Sequence, residues 1–200
     1  MSARIIMSFA MANHGYEFAT WLRHQLMNRY QLGYPDSVYV DFHVARLVPV
    51  PAPIHNKPKV TLDIAPDMRP HMRSETKAFP IGARRSDWEA LYKNAMQTAS
   101  VMLIAYTPEY KASDWCMKEV RMVHLENGKR RQAGRPPLRT IVMEFTSAEG
   151  QIVGLGEPTM TRLRVSKTPG NGIGLAWDRN DYILSGGDMI ALTNLIGQNV

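Results

Sequence analysis

Cysteine is almost absent from this chain: Cys116 is the only one in 200 residues. A lone thiol excludes an intramolecular disulfide and a cysteine-built zinc cage, and it suits a reducing, cytoplasmic setting. No apolar run approaches the ~20 residues that a membrane span needs, so no membrane association is expected. The six histidines, His14, His24, His43, His55, His71 and His124, show no metal-ligand spacing, and no metal site is expected. Acidic residues are fewer than basic ones, 18 against 24, and the net charge of +6 favours anionic ligands while also serving solubility. The basic connector of Lys129, Arg130, Arg131, Arg135 and Arg139 has no interleaved aromatics, so it reads as a solvated linker and nucleic acid is not an expected partner. Apolar residues at 44% place the chain among ordinary globular proteins, and the length fits one domain, residues 1–200.

What is present alternates between strand and helix. Arg4 followed by the run Ile5 to Ala12 imitates a short signal peptide, but a single basic charge is a poor start for one, and Ile5 to Phe9 reads as a buried first strand. Phe18, Leu22 and Leu26 recur at helical spacing between Tyr16 and Tyr30. Val38 to Phe42 is a second strand candidate that carries Asp41. From His43 to Arg85 the pattern dissolves, with seven of the 13 prolines in this stretch, and a Pro-rich insertion or long loop is expected at 43–85. Ser86 and Glu89 form a capping-box pattern before the stripe Trp88, Leu91, Tyr92, Ala95, Met96 and Ala99. Val101 to Tyr106 is apolar throughout, as central parallel strands are. A loop is expected over Thr107 to Ser113, then a helix from Asp114 to Asn127 stopped by Gly128. Thr140 to Phe145 gives another strand. The part at 146–187 is Gly-rich and reads mainly as loops, with a short edge strand at Leu163 to Val165. Asp188 to Gln198 suits a closing helix with Met189, Ile190, Thr193 and Ile196 inward. Such alternation predicts an α/β fold of three layers, a mostly parallel sheet of about five strands with helices on both faces. Ligands in such folds bind beyond the C-terminal strand ends.

Trp115 and Glu119 stand i and i+4 on one helical face, beside the apolar stripe of Cys116, Val120 and Val123. Glu119 therefore falls at the border of the core, where partial desolvation raises a carboxylate's pKa. A carboxylate in a cleft there binds ribose hydroxyls or stabilises a developing cation. The plainer reading is a surface glutamate paired with a nearby lysine or arginine. Cys116 reads as a buried core thiol, since no neighbour in the sequence supplies a base.

Three blocks resemble the TIR (Toll/interleukin-1 receptor-like) domain family. IIMSF is similar to its first strand, and VYVDF to its second. Trp88 to Glu119, with Ser113-Asp114-Trp115-Cys116 and then Glu119, resembles its helix-strand-helix block and S-x-W-C-x-x-E motif. The resemblance covers roughly residues 4 to 42 and 86 to 145, and the excursion at 43–85 is longer than the family's usual loop. It implies a flavodoxin-like fold of the bacterial stand-alone type. It implies an NAD-cleaving enzyme, an NAD nucleosidase or ADP-ribosyl cyclase, with NAD as substrate and no separate cofactor. The catalytic residue is then Glu119, and the substrate-binding residues are Phe9, Ala10, Asp41 and Trp115. The resemblance also implies self-association and a role in antiviral defence, with a nucleotide messenger passed to a downstream effector. A non-catalytic TIR scaffold acting by self-association is the alternative.

Overall fold

Largely apolar runs form the centre of the molecule, and amphipathic stripes form its two outer layers. The computed structural model describes residues 3–10, 15–32, 37–40, 88–145, 160–165, 176–177 and 182–199. In chain order the elements are β1 (Ile5–Phe9), α1 (Gly15–Arg29), β2 (Val38–Tyr39), α2 (Trp88–Thr98) and β3 (Val101–Tyr106). They continue with α3 (Pro108–Ala112), α4 (Asp114–Gln132), β4 (Arg139–Phe145) and β5 (Met160–Val165). A small hairpin of β6 (Ala176–Trp177) and β7 (Tyr182–Ile183) precedes α5 (Gly186–Gly197). The expected excursion at 43–85 lies outside the described residues, as does Asp41.

The five-stranded sheet has the order β2-β1-β3-β4-β5 and every pairing is parallel. This is the α/β, flavodoxin-like arrangement expected. Residues of β3 are buried on both sides because helices cover both faces. One layer holds α1 and α5: Phe18, Leu22, Leu26, Leu192 and Ile196 pack on Ile5, Met7, Leu103, Ile141 and Met143. The other holds α2 and α4: Tyr92, Met96, Val120 and Val123 pack on Ile6, Met102, Ile104 and Val142. Alternate residues of each strand thus face opposite layers, as the pleat requires.

Several local expectations are corrected. Thr107 to Ser113 is not a plain loop. Thr107 caps α3 by accepting the Tyr110 amide at 3.2 Å, and Pro108 occupies the first helical position, where its missing N–H costs nothing. Ile190 does not face inward: it is 64% exposed, and the buried residues of α5 are Asp188, Leu192 and Ile196. Ser185 and Asp188 form a reciprocal capping box that starts α5 before Asp188.

Another correction concerns where α4 stops. Gly128 does not end it; the helix runs to Gln132 and closes at Gly134, whose φ is +63°. The Gly134 amide donates to Arg131 O at 3.2 Å and the Arg135 amide to Arg130 O at 2.8 Å, a Schellman motif. The two glycines should respond to alanine with opposite signs. A Cβ on Gly128 meets nothing within 4 Å, so Gly128→Ala removes backbone freedom from the unfolded chain. It should stabilise by about 0.5–1 kcal/mol. Gly134→Ala forces an L side chain into the left-handed region and should cost about 1 kcal/mol. Urea denaturation of the two variants checks this.

The connector after Gly128 is likewise not a solvated linker. α2 has no basic residue in its own last turn, and its C-terminal carbonyls are met by arginines from the α4 end. Arg130 is buried and donates to Met96 O and, at 2.8 Å, to Ala99 O. It also donates to Pro136 O at 3.3 Å and pairs with buried Glu126 at 3.0 Å. Arg135 reaches Gln97 O at 2.7 Å. Asn127 exchanges two bonds with the Leu138 backbone, fixing the entry into β4.

Candidate functional site

In the strand order β2-β1-β3, the chain leaves β1 toward one edge of the sheet and leaves β3 toward the other. Their C-terminal ends border the crevice where α/β folds take ligands. Ser113 starts α4 there by accepting the Cys116 amide at 3.4 Å. One turn on, Glu119 is half-buried and reaches the end of β1.

Glu119 meets side chains of β1 and α2, and α3 stands behind them through Ser8. The Ser8 hydroxyl of β1 donates to Glu119 Oε2, and Tyr92 Oη of α2 lies 3.3 Å from the same oxygen. Tyr110 Oη of α3 lies 2.7 Å from Ser8 Oγ and 3.3 Å from Cys116 O. Ser8, Tyr92 and Tyr110 are each at most 2% exposed. Burial, and then the charge of Glu119, hold both phenols well above their usual 10.0, so both remain protonated donors at neutral pH. Tyr39 packs edge-on against Tyr92 and Tyr106 lies tilted against Tyr110, each with ring centroids 5.7 Å apart. A belt of aromatic rings thus underlies a single carboxylate.

The residues expected around Glu119 separate. Trp115 is half-buried one turn before it, and the Lys118 ammonium sits 5.5 Å from the centre of its ring. Lys118 also pairs with Glu89 of α2 at 2.7 Å, and Lys93 holds the same carboxylate at 2.7 Å. These two lysines hold Glu89 down at about 2. Ala10 is buried in the layer of α2 and α4. Phe9 is not brought to Glu119 by its side chain, which packs in the opposite layer; its carbonyl accepts from Cys116 Sγ at 3.6 Å. Strand alternation turns Ser8, not Phe9, toward the acid. Asp41 lies outside the described residues.

Ser8, Tyr92 and Tyr110 are missing from the sequence-derived site. Ser8 was detectable as the one hydroxyl in an apolar strand, two residues after Ile6 on the same face. Tyr92 and Tyr110 carry no such signal, since a tyrosine on the apolar stripe of α2 reads as core and Tyr110 falls in a segment that reads as a loop. A second acid also escaped notice: Glu144 near the end of β4 is 4% exposed in its side chain and pairs with Arg162 of β5 at 3.3 Å. Among the described residues no group of three or more His, Cys, Asp or Glu side chains is placed to hold a metal ion, and no helix is long and apolar enough to cross a membrane.

Cys116 is a core thiol. Burial pushes it up to about 12, against an ordinary 9.0. The native thiol should therefore resist iodoacetamide at pH 8 and react only after denaturation, as mass spectrometry can show. Because the folded value is the higher one, the stability it contributes is complete below about pH 9 and is lost as pH rises toward 12. Tyr92 and Tyr110 act in the same direction above 10.0, so denaturation midpoints should fall through this alkaline range. Comparisons with protein-family models, curated proteins and solved structures return no match, so the fold and this constellation of side chains are what bear on function.

Proposed function

We propose that the chain is a TIR-like enzyme that cleaves NAD at the nicotinamide–ribose bond, with Glu119 as its catalytic residue. The observation that carries this reading is the placement of Glu119, half-buried at the crevice of a flavodoxin-like sheet with one carboxylate oxygen fixed by Ser8 and Tyr92. Departure of nicotinamide leaves positive charge shared between the ribose C1 and ring oxygen. A carboxylate held nearby stabilises that charge and accepts hydrogen bonds from the ribose hydroxyls. Nicotinamide departs as a neutral molecule from a cationic pyridinium, so no acid has to protonate it. A single carboxylate then suffices where most glycosidases use two.

The half-buried Trp115 lies one turn before Glu119, with the Lys118 ammonium 5.5 Å from the centre of its ring. Trp115, Ala10 and the backbone of Phe9 are the described residues assigned to substrate binding, together with Asp41. In this reading the enzyme works in the cytoplasm, self-associates, and hands a nucleotide product to a downstream effector in antiviral defence.

The test is to incubate concentrated, purified protein with NAD and identify products by mass spectrometry, with Glu119→Ala as control. Nicotinamide release that vanishes in the variant is expected, with ADP-ribose or a cyclic isomer as co-product. NAD left intact by both proteins under conditions where the protein assembles would move the assignment to a non-catalytic scaffold.

A further inference from the structure

Three hydroxyl groups lie beneath Glu119, and their proton count limits how they can be arranged. A serine or tyrosine hydroxyl has one proton to donate and accepts through its lone pairs. Ser8 Oγ contacts both Glu119 Oε2 and Tyr110 Oη, so its proton serves only one of them at a time. Tyr110 Oη contacts both Ser8 Oγ and Cys116 O, with the same restriction. Tyr92 Oη lies 3.3 Å from Glu119 Oε2 and 3.5 Å from Met7 O.

Two arrangements satisfy these contacts. With Glu119 ionised, Tyr110 donates to Ser8, Ser8 donates to Oε2, and Tyr92 donates to Oε2. With Glu119 protonated, its O–H donates to Ser8, Ser8 donates to Tyr110, and Tyr110 turns to the Cys116 carbonyl while Tyr92 turns to the Met7 carbonyl. Each phenol has a backbone acceptor in reserve, so no buried hydroxyl is stranded in either state. A structure built only to bury an ionised glutamate needs neither reserve acceptor.

We propose that Ser8 and Tyr110 form a reversible hydrogen-bond relay that positions Glu119 and accommodates it both with and without a proton. The proton itself is exchanged with solvent or ligand at Glu119; the relay only rotates hydroxyls, and no bond to carbon is made or broken. Ser8 and Tyr110 are positioning residues, and Tyr92 fixes the same oxygen from the side of α2. The inference rests on Glu119 being the working group of the site, and it deepens that reading. A carboxylate that takes and returns a proton suits a reaction whose second half activates water or a ribose hydroxyl against the cationic sugar.

The other ionisable groups around Glu119 do not substitute for the relay. Tyr39 beside Tyr92 and Tyr106 beside Tyr110 are buried phenols. Cys116 on α4 stays a thiol, and Lys118 is engaged by Glu89 of α2, which Lys93 also holds.

The experiment follows the Glu119 carboxyl by carbon NMR through an acid titration of protein labelled in its glutamates, in the parent, Ser8→Ala and Tyr110→Phe. Glu119→Gln identifies the signal. Each positioning variant deletes one oxygen, and thermal melts confirm that each folds. Ser8→Ala should raise the Glu119 midpoint by about one pH unit, because the ionised form loses its donor. Tyr110→Phe, which leaves the Ser8–Glu119 bond in place, should move it by less than half as much. The acidic limb of the NAD-cleavage profile should move with the midpoint, lowering kcat at low pH with KM little changed. An unmoved or lowered midpoint in Ser8→Ala overturns the relay whatever the activity. A raised midpoint in a protein that does not consume NAD sustains the relay and rejects the NAD reading alone.

Discussion

Glu119→Gln should release nicotinamide at least about 10³-fold more slowly than the parent, with a melting temperature within a few degrees of it. Glutamine keeps the shape of the side chain, and its carbonyl oxygen still accepts from Ser8 and Tyr92, so packing against β1 and α2 is preserved. Only the charge is lost. A unit charge ~4 Å from a cationic sugar, in surroundings of effective dielectric about 20, contributes about 4 kcal/mol. That corresponds to about three powers of ten in rate. The charge matters most where the sugar is most cationic, so the loss should appear in kcat and leave KM nearly unchanged. Single-turnover assays with chromatographic detection of nicotinamide separate these quantities. Retention of more than a tenth of the parent rate would remove Glu119 from the chemistry.

Arg130→Met should damage the fold severely. The guanidinium serves Glu126, Met96 O, Ala99 O and Pro136 O at once, and its side chain is 5% exposed. Methionine fills much of the volume and abandons every one of these partners. Leaving the Glu126 carboxylate buried without its cation costs about 3–5 kcal/mol. In a chain of this size that lowers the melting temperature by roughly 10 °C. Pairing the change with Glu126→Leu should recover part of the loss, because two apolar residues replace two charges. Recovery should stay incomplete, since the carbonyls at the end of α2 still lack donors. Arg130→Lys should recover little, as a single ammonium cannot span the geometry of a planar fork. Calorimetry on the set decides between these outcomes, and a double variant as stable as the parent would show that the carbonyl contacts contribute nothing.

The sheet was the readable part of this sequence. Val101 to Tyr106 is apolar without interruption, and Thr140 to Phe145 is apolar except at Thr140 and Glu144, which in strands this short means cover on both faces, and both are inner strands. The stripe of α2 was equally plain, with Tyr92, Ala95, Met96 and Ala99 all buried. The end of α4 was misread because Gly128 and Gly134 look alike as letters. What separates them is tertiary: Asn127 and Arg130 are fastened to β4 and α2, which carries the helix past the first glycine to the second. The arginine connector deceived for the same reason, since carbonyls at the end of another helix leave no trace near Arg130 in the chain. At the site, Trp115 and Glu119 could be placed on one face from their spacing alone. Ser8 is 111 positions from Glu119 and Tyr110 is 102 positions from Ser8, separations that only the parallel register of β1 beside β3 closes.

α2 and α4 are fastened to each other at both ends. Glu89 and Tyr92 meet Lys118 and Glu119 near their starts, and Met96, Gln97 and Ala99 meet Arg130 and Arg135 near their finish. Neither helix can swing away alone, so amide protons along both should exchange with deuterium as one cooperative unit. Anything that docks on the outer side of this pair, far from the carboxylate, will either leave both undisturbed or shift them as one plate.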